Sequence, residues 1–88
     1  MKIKKGFVIE KVGDSYLACA TGKAVKDFSG LIRLNETGAY MWRMLEGDGA
    51  EIEDMIAKMT AEYDVSEEVA AKDIESFIKT MKEHGIVD

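Results

Sequence analysis

The sequence predicts an α+β fold of winged helix-turn-helix type, with a three-stranded antiparallel sheet followed by three helices. Three observations carry this. Two short runs rich in β-branched and aromatic residues flank Gly13-Asp14, apolar residues recur at helical spacing from Asn35 onward, and no internal repeat or low-complexity stretch interrupts them. Strands first and helices second, on short connections, argue for a sheet covered by helices on one face.

Phe7-Val8-Ile9-Glu10-Lys11-Val12 and Ser15-Tyr16-Leu17-Ala18-Cys19-Ala20 read as the two arms of a hairpin. Glycine at the first central position of the two-residue loop supplies the positive φ of a type II′ turn, whose twist suits the flanking strands. With Val12 opposite Ser15, one face holds Phe7, Ile9, Tyr16, Ala18 and Ala20, and the other holds Val8, Val12, Leu17 and Cys19. Both faces are partly apolar, so the second is expected to meet a partner or another copy of the chain. Thr21 to Gly30 is a connection with room for a short strand around Val25 and Phe28, and Leu31-Ile32-Arg33-Leu34 is the third strand.

Asn35 is placed to cap the first helix, whose stripe of Met41, Trp42 and Leu45 stops at Gly47. Ile52, Met55, Ile56, Met59 and Tyr63 mark the second, with Glu51, Glu53 and Asp54 in its first turn, where the helix dipole favours anions. Ala50 stands where a capping Ser or Thr would be usual, a loss of about 1 kcal/mol. Ser66 caps a third and longer helix carrying Ala70, Ile74, Phe77, Ile78 and Met81 on one side. It ends at His84-Gly85, and Ile86-Val87 is expected to fold back on the core. The second and third helices, joined across Tyr63 to Val65, have the spacing of a helix-turn-helix pair.

Eighty-eight residues with 47% hydrophobic content leave room for one core, so residues 1–88 are expected to form a single domain. One cysteine cannot make an internal disulfide, and with one histidine it cannot complete a structural zinc site. No run approaches the roughly 18 apolar residues of a membrane span. Met1 to Lys5 leads into too short an apolar stretch for a signal peptide, and the expected location is the cytoplasm, away from membranes.

No catalytic constellation emerges, and neither enzymatic activity, a metal nor a cofactor is expected. Cys19 lies on a strand alternating with core positions and reads as a small buried hydrophobe. His84 reads as a cation-capable group near the last carbonyls of the third helix. The carboxylates at Glu51-Glu53-Asp54, Glu67-Glu68 and Asp73-Glu75 suit helix first turns and solvated faces. Gly47-Asp48-Gly49 lacks the strand before it and the Lys-Ser/Thr after it that a phosphate loop needs.

The helix-turn-helix outline invites nucleic-acid binding, and the charges oppose it. Residues 1–26 carry six lysines against Glu10 and Asp14, net +4, so the remaining 62 residues carry −9 of the total −5. The third helix sets Lys72, Lys79 and Lys82 against five acids, and the second has Lys58 alone against four. A recognition helix should instead present cations to phosphates. Nucleic-acid binding is therefore the alternative reading, and it would have to use the basic N-terminal hairpin.

The run Leu34-Asn35-Glu36-Thr37-Gly38-Ala39-Tyr40-Met41-Trp42 is followed by the Ile52 to Ile56 helix and Tyr63. Asp73-Ile74-Glu75-Ser76-Phe77-Ile78 then closes on His84-Gly85-Ile86-Val87. Together these resemble the pyrroloquinoline quinone biosynthesis protein D family over roughly residues 7–88. The Leu34 to Trp42 block is the more specific part.

The resemblance implies a precursor-peptide recognition element, a module that captures the leader of a ribosomally made peptide and presents it to a modifying enzyme, often a radical S-adenosylmethionine enzyme. It implies that the leader adds as a strand to the sheet edge formed by Leu31, Ile32, Arg33 and Leu34, against the third helix. An edge strand offers unpaired backbone groups for affinity and side-chain pockets for choice. One flank of that helix carries Asp73, Phe77, Thr80 and His84, the other Ala71, Glu75, Ile78 and Lys82. The first matches the family's Asp to Phe spacing, which nominates Asp73, Phe77 and Thr80. Phe77 and Trp42 also read as core, Asp73 as the best contact for a leader group, and Arg33 as a partner for an acidic leader residue. A homodimer through the two-faced sheet is a further expectation.

Overall fold

The computed structural model describes residues 1–22 and 32–87. The stretch proposed for an extra strand near Val25 and Phe28, and Leu31, lie outside the described residues. Strand β1 (Phe7–Val12) pairs antiparallel with β2 (Ser15–Ala20), which pairs antiparallel with β3 (Ile32–Leu34), in the order β1-β2-β3. Helices α1 (Glu36–Leu45), α2 (Ile52–Glu62) and α3 (Glu67–Glu83) follow. This is the predicted α+β arrangement.

The hairpin register is Val12 opposite Ser15 through Phe7 opposite Ala20. At the turn Gly13 alone has positive φ, +63°, the requirement of a type II′ turn. The inner face of the sheet brings Ala18, fully buried, and the partly buried Phe7, Ile9 and Tyr16 onto the core. On the outer face Val8 and Val12 are 39% and 55% exposed. Cys19 sits there too and is half-buried rather than buried, because no layer of the described residues covers that face.

The helices end where local chemistry stops them. The Asn35 side chain accepts from Gly38 N at 2.7 Å and the Ser66 hydroxyl from Val69 N at 3.2 Å, each satisfying an orphan donor of a first turn. Helix α2 differs from expectation: Glu51, not Ala50, is its N-cap, and no side chain caps it. The chain leaves α3 through Gly85 at φ +72°, after which Ile86 and Val87 return to the core as expected. That core is built on Trp42, Leu45, Met55, Met59, Ile74, Met81 and Ile86. Tyr40 ties α1 to α2, its ring meeting Tyr63 edge-on at 5.5 Å and its hydroxyl donating to the Lys58 carbonyl at 3.3 Å.

The N-terminal residues join the fold through backbone pairing. Ile3 N donates to the Leu45 carbonyl at 2.8 Å, Lys4 N to Ile86 at 2.8 Å, and Ala50 N to Met1 at 2.9 Å. Gly49, at φ +80°, is held against this segment so closely that a Cβ would collide with the Met1 carbonyl. Among the described residues, no helix is long and apolar enough to cross a membrane.

Candidate functional site

Strand β3 is the terminal strand of the sheet among the described residues, so alternate backbone N–H and C=O groups along it point away from β2. Its free edge faces one flank of α3 across an open cleft of about 660 Å³. Ile32, Arg33 and Leu34 form one wall, and Asp73, Ser76, Phe77 and Thr80 form the other. Asn35, Thr37 and Gly38 from the start of α1, with Met41 and Met81, complete the lining.

The periodicities of the two walls explain this lining. Positions 73, 76, 77 and 80 fall at i, i+3, i+4 and i+7, one flank of a helix whose apolar stripe is already in the core. Phe77 lies where stripe and flank meet. It is 8% exposed, both a core residue and part of the cleft wall. Asp73, Ser76 and Thr80 are exposed beside it.

In β3 the period is two. Ile32 pairs with Ala18 and Leu34 with Tyr16, which turns both toward the core side, whereas Arg33 pairs with Leu17 and stands on the outer face at the cleft rim. Buried Leu34 and Met41 give the cleft its apolar base, and a Cβ on Gly38 would already touch Leu34 at 3.3 Å.

Among the described residues, Arg33 is the one cation and Asp73 the one carboxylate lining the cleft. Neither has an ion-pair partner among the described residues. The cleft thus combines an apolar base, hydroxyls at Ser76, Thr80 and Thr37, and one charge of each sign at its margins. That suits an extended chain with mixed side chains better than a reacting small molecule.

Ile32, Arg33, Leu34, Asp73, Phe77 and Thr80 are therefore brought together, while Leu31 lies outside the described residues. The opposite flank of α3, with exposed Glu75 and Lys82 and buried Ile78, does not line the cleft. His84 stays at the helix end, its Nδ1 2.8 Å from the Thr80 carbonyl, as expected for a group beside the last carbonyls. Ser76 was missed in the sequence, although its i+3 spacing to Asp73 puts it on the same flank. The contributions of Asn35, Thr37, Gly38 and Met41 were not legible there, since they depend on how α1 leaves β3.

A second, smaller cavity of about 320 Å³ lies between Lys11, Asp14, Tyr16 and Glu36. Arg43 and Lys11 both stand over the Tyr16 ring, 5.5 and 6.0 Å from its centre. The Arg43 contact fastens the hairpin to α1 through cation–π attraction, while the Lys11 contact lies within the hairpin. Among the described residues, no group of three His, Cys, Asp or Glu side chains is placed to hold a metal ion.

No curated protein matches the chain. A solved structure, described as TbiB1 in complex with the TbiA(beta) leader peptide, superposes with a TM-score of 0.78. The two chains are 19% identical, with 100% of this chain and 95% of that one covered, a likeness that shows the shared fold. The family model for coenzyme PQQ synthesis protein D (PqqD) matches residues 20–87, from the end of β2 to the returning C-terminal segment. That span takes in both walls of the cleft and most of the chain, and the protein belongs to the PqqD family.

Proposed function

We propose that this protein is a non-catalytic adaptor that binds the leader of a ribosomally made precursor peptide and presents it to a modifying enzyme. The leader adds as a fourth strand to β3, within the cleft against α3, and the modifying enzyme is a radical S-adenosylmethionine enzyme or another peptide-modifying one. The observation that carries this reading is the free edge of β3 opposite the Asp73-Phe77-Thr80 flank, over an apolar base. Backbone pairing supplies affinity there, and the alternating side chains of the added strand supply choice. Family membership supports the reading, as does the fold shared with a protein solved with a leader peptide bound.

Isothermal titration with leader peptides encoded beside this protein's gene tests it. At least one is expected to bind with Kd below about 100 μM, roughly −5.5 kcal/mol. Absence of binding by every such leader contradicts the reading. Tight, steeply salt-dependent binding of duplex DNA would instead favour nucleic-acid recognition through the basic hairpin.

A further inference from the structure

Resting on the reading that the cleft takes an added strand, we infer that the cleft selects its peptide by strand parity, accepting a segment in which two apolar residues flank an acidic one. Successive side chains of a strand point to opposite faces of its sheet. Residues of an added strand opposite Ile32 and Leu34 enter the cleft, and the residue between them, opposite Arg33, stands on the outer face.

The two faces impose different rules. Inward side chains meet Leu34, Met41, Phe77 and Met81, with Asp73 as the only carboxylate among the described lining residues. An acidic side chain there would be desolvated and would approach a like charge, whereas an apolar one gains burial. The outward side chain meets Arg33, which is exposed and has no ion-pair partner among the described residues. Across the sheet its neighbour on β2 is Leu17, and Glu10 lies a further strand away on β1. Among the described residues the guanidinium is therefore left to be answered from the free edge, and a carboxylate directly opposite it completes a cross-strand pair. Moving the acid by one residue would place it inside the cleft, because a one-residue slip exchanges the faces. Arg33 and Asp73 together thus fix register as well as composition.

Phage-displayed random dodecapeptides, panned on the whole domain and on its Arg33→Glu variant, test this. Wild type is expected to enrich apolar-acidic-apolar triplets, and Arg33→Glu to keep the apolar pair but exchange the acid for Lys or Arg. For a resynthesised acid-bearing peptide, Arg33→Ala weakens binding roughly two- to fivefold. A lysine at the central position weakens it on wild type and recovers on Arg33→Glu. Arg33→Gln, which keeps length and polarity, replaces the charge reversal if circular dichroism shows that variant unfolded. Apolar pairs enriched with any central residue, indifferent to Arg33, would overturn the parity rule and leave strand addition standing. No enrichment at all, or selected peptides that shift amides away from β3 and α3, would overturn both.

Discussion

Asp73 and Phe77 stand one turn apart on the same flank of α3, yet only one of them also holds the fold together. Asp73 is exposed, so Asp73→Ala is expected to change stability by less than about 0.5 kcal/mol while weakening leader binding, a separation that thermal melts and titration read independently. Phe77→Ala should cost about 3–5 kcal/mol, because its ring is buried as well as cleft-facing. Tyr63 carries a different signature. Burial first, then the nearby Glu36 and Glu62 carboxylates, raise its phenol above the usual value of 10.0. A folded state that holds this proton more tightly than the unfolded chain is stable relative to it below pH 10 and loses that advantage as pH rises through the folded value. Stability measured from pH 9 to 11 should fall less steeply in Tyr63→Phe than in wild type. Helical spacing alone left two flanks of α3 open, and the family's Asp to Phe spacing nominated Asp73, Phe77 and Thr80, which stand on the cleft wall. Sequence reading placed Cys19 too deep, because burial on an outer sheet face depends on what covers that face, which no strand pattern specifies.

At the scale of elements, local signals were read well and long-range backbone contacts were not. The type II′ turn at Gly13, the Asn35 and Ser66 caps and the exit at Gly85 follow from side-chain chemistry within a few residues. Asn35→Ala is expected to cost about 1 kcal/mol, loosening the junction between β3 and α1 where the cleft begins. The start of α2 was misplaced by one residue, since Ala50 N is engaged by the Met1 carbonyl and Glu51 takes the cap position. That docking of residues 1–4 is nearly invisible in sequence because its hydrogen bonds are main chain to main chain, joined by one ion pair from the Met1 ammonium to Glu51. Gly49 is its one trace. Gly49→Ala must put a side chain at φ +80° and against Met1, so it should destabilise by about 2 kcal/mol or more. Faster hydrogen exchange at the Ile3 and Lys4 amides would accompany the loss.

For the whole molecule, the grouping of strands before helices was enough to predict the α+β architecture, with a three-stranded antiparallel sheet and then three helices. The same reasoning could not decide which flank of α3 faces β3, because that depends on how α3 packs rather than on its own periodicity. The acidic helices and net charge of −5 set the electrostatic background in which Arg33 stands out at the cleft rim. The central claim is that β3 and α3 clamp an extended peptide. A proton–nitrogen NMR titration of the labelled domain with the leader of a neighbouring precursor peptide tests it most directly, following the Ile32, Arg33, Asp73 and Thr80 amides. The account predicts shifts concentrated on β3 and the Asp73 flank of α3. Shifts confined to the hairpin, or none with any leader, would contradict it.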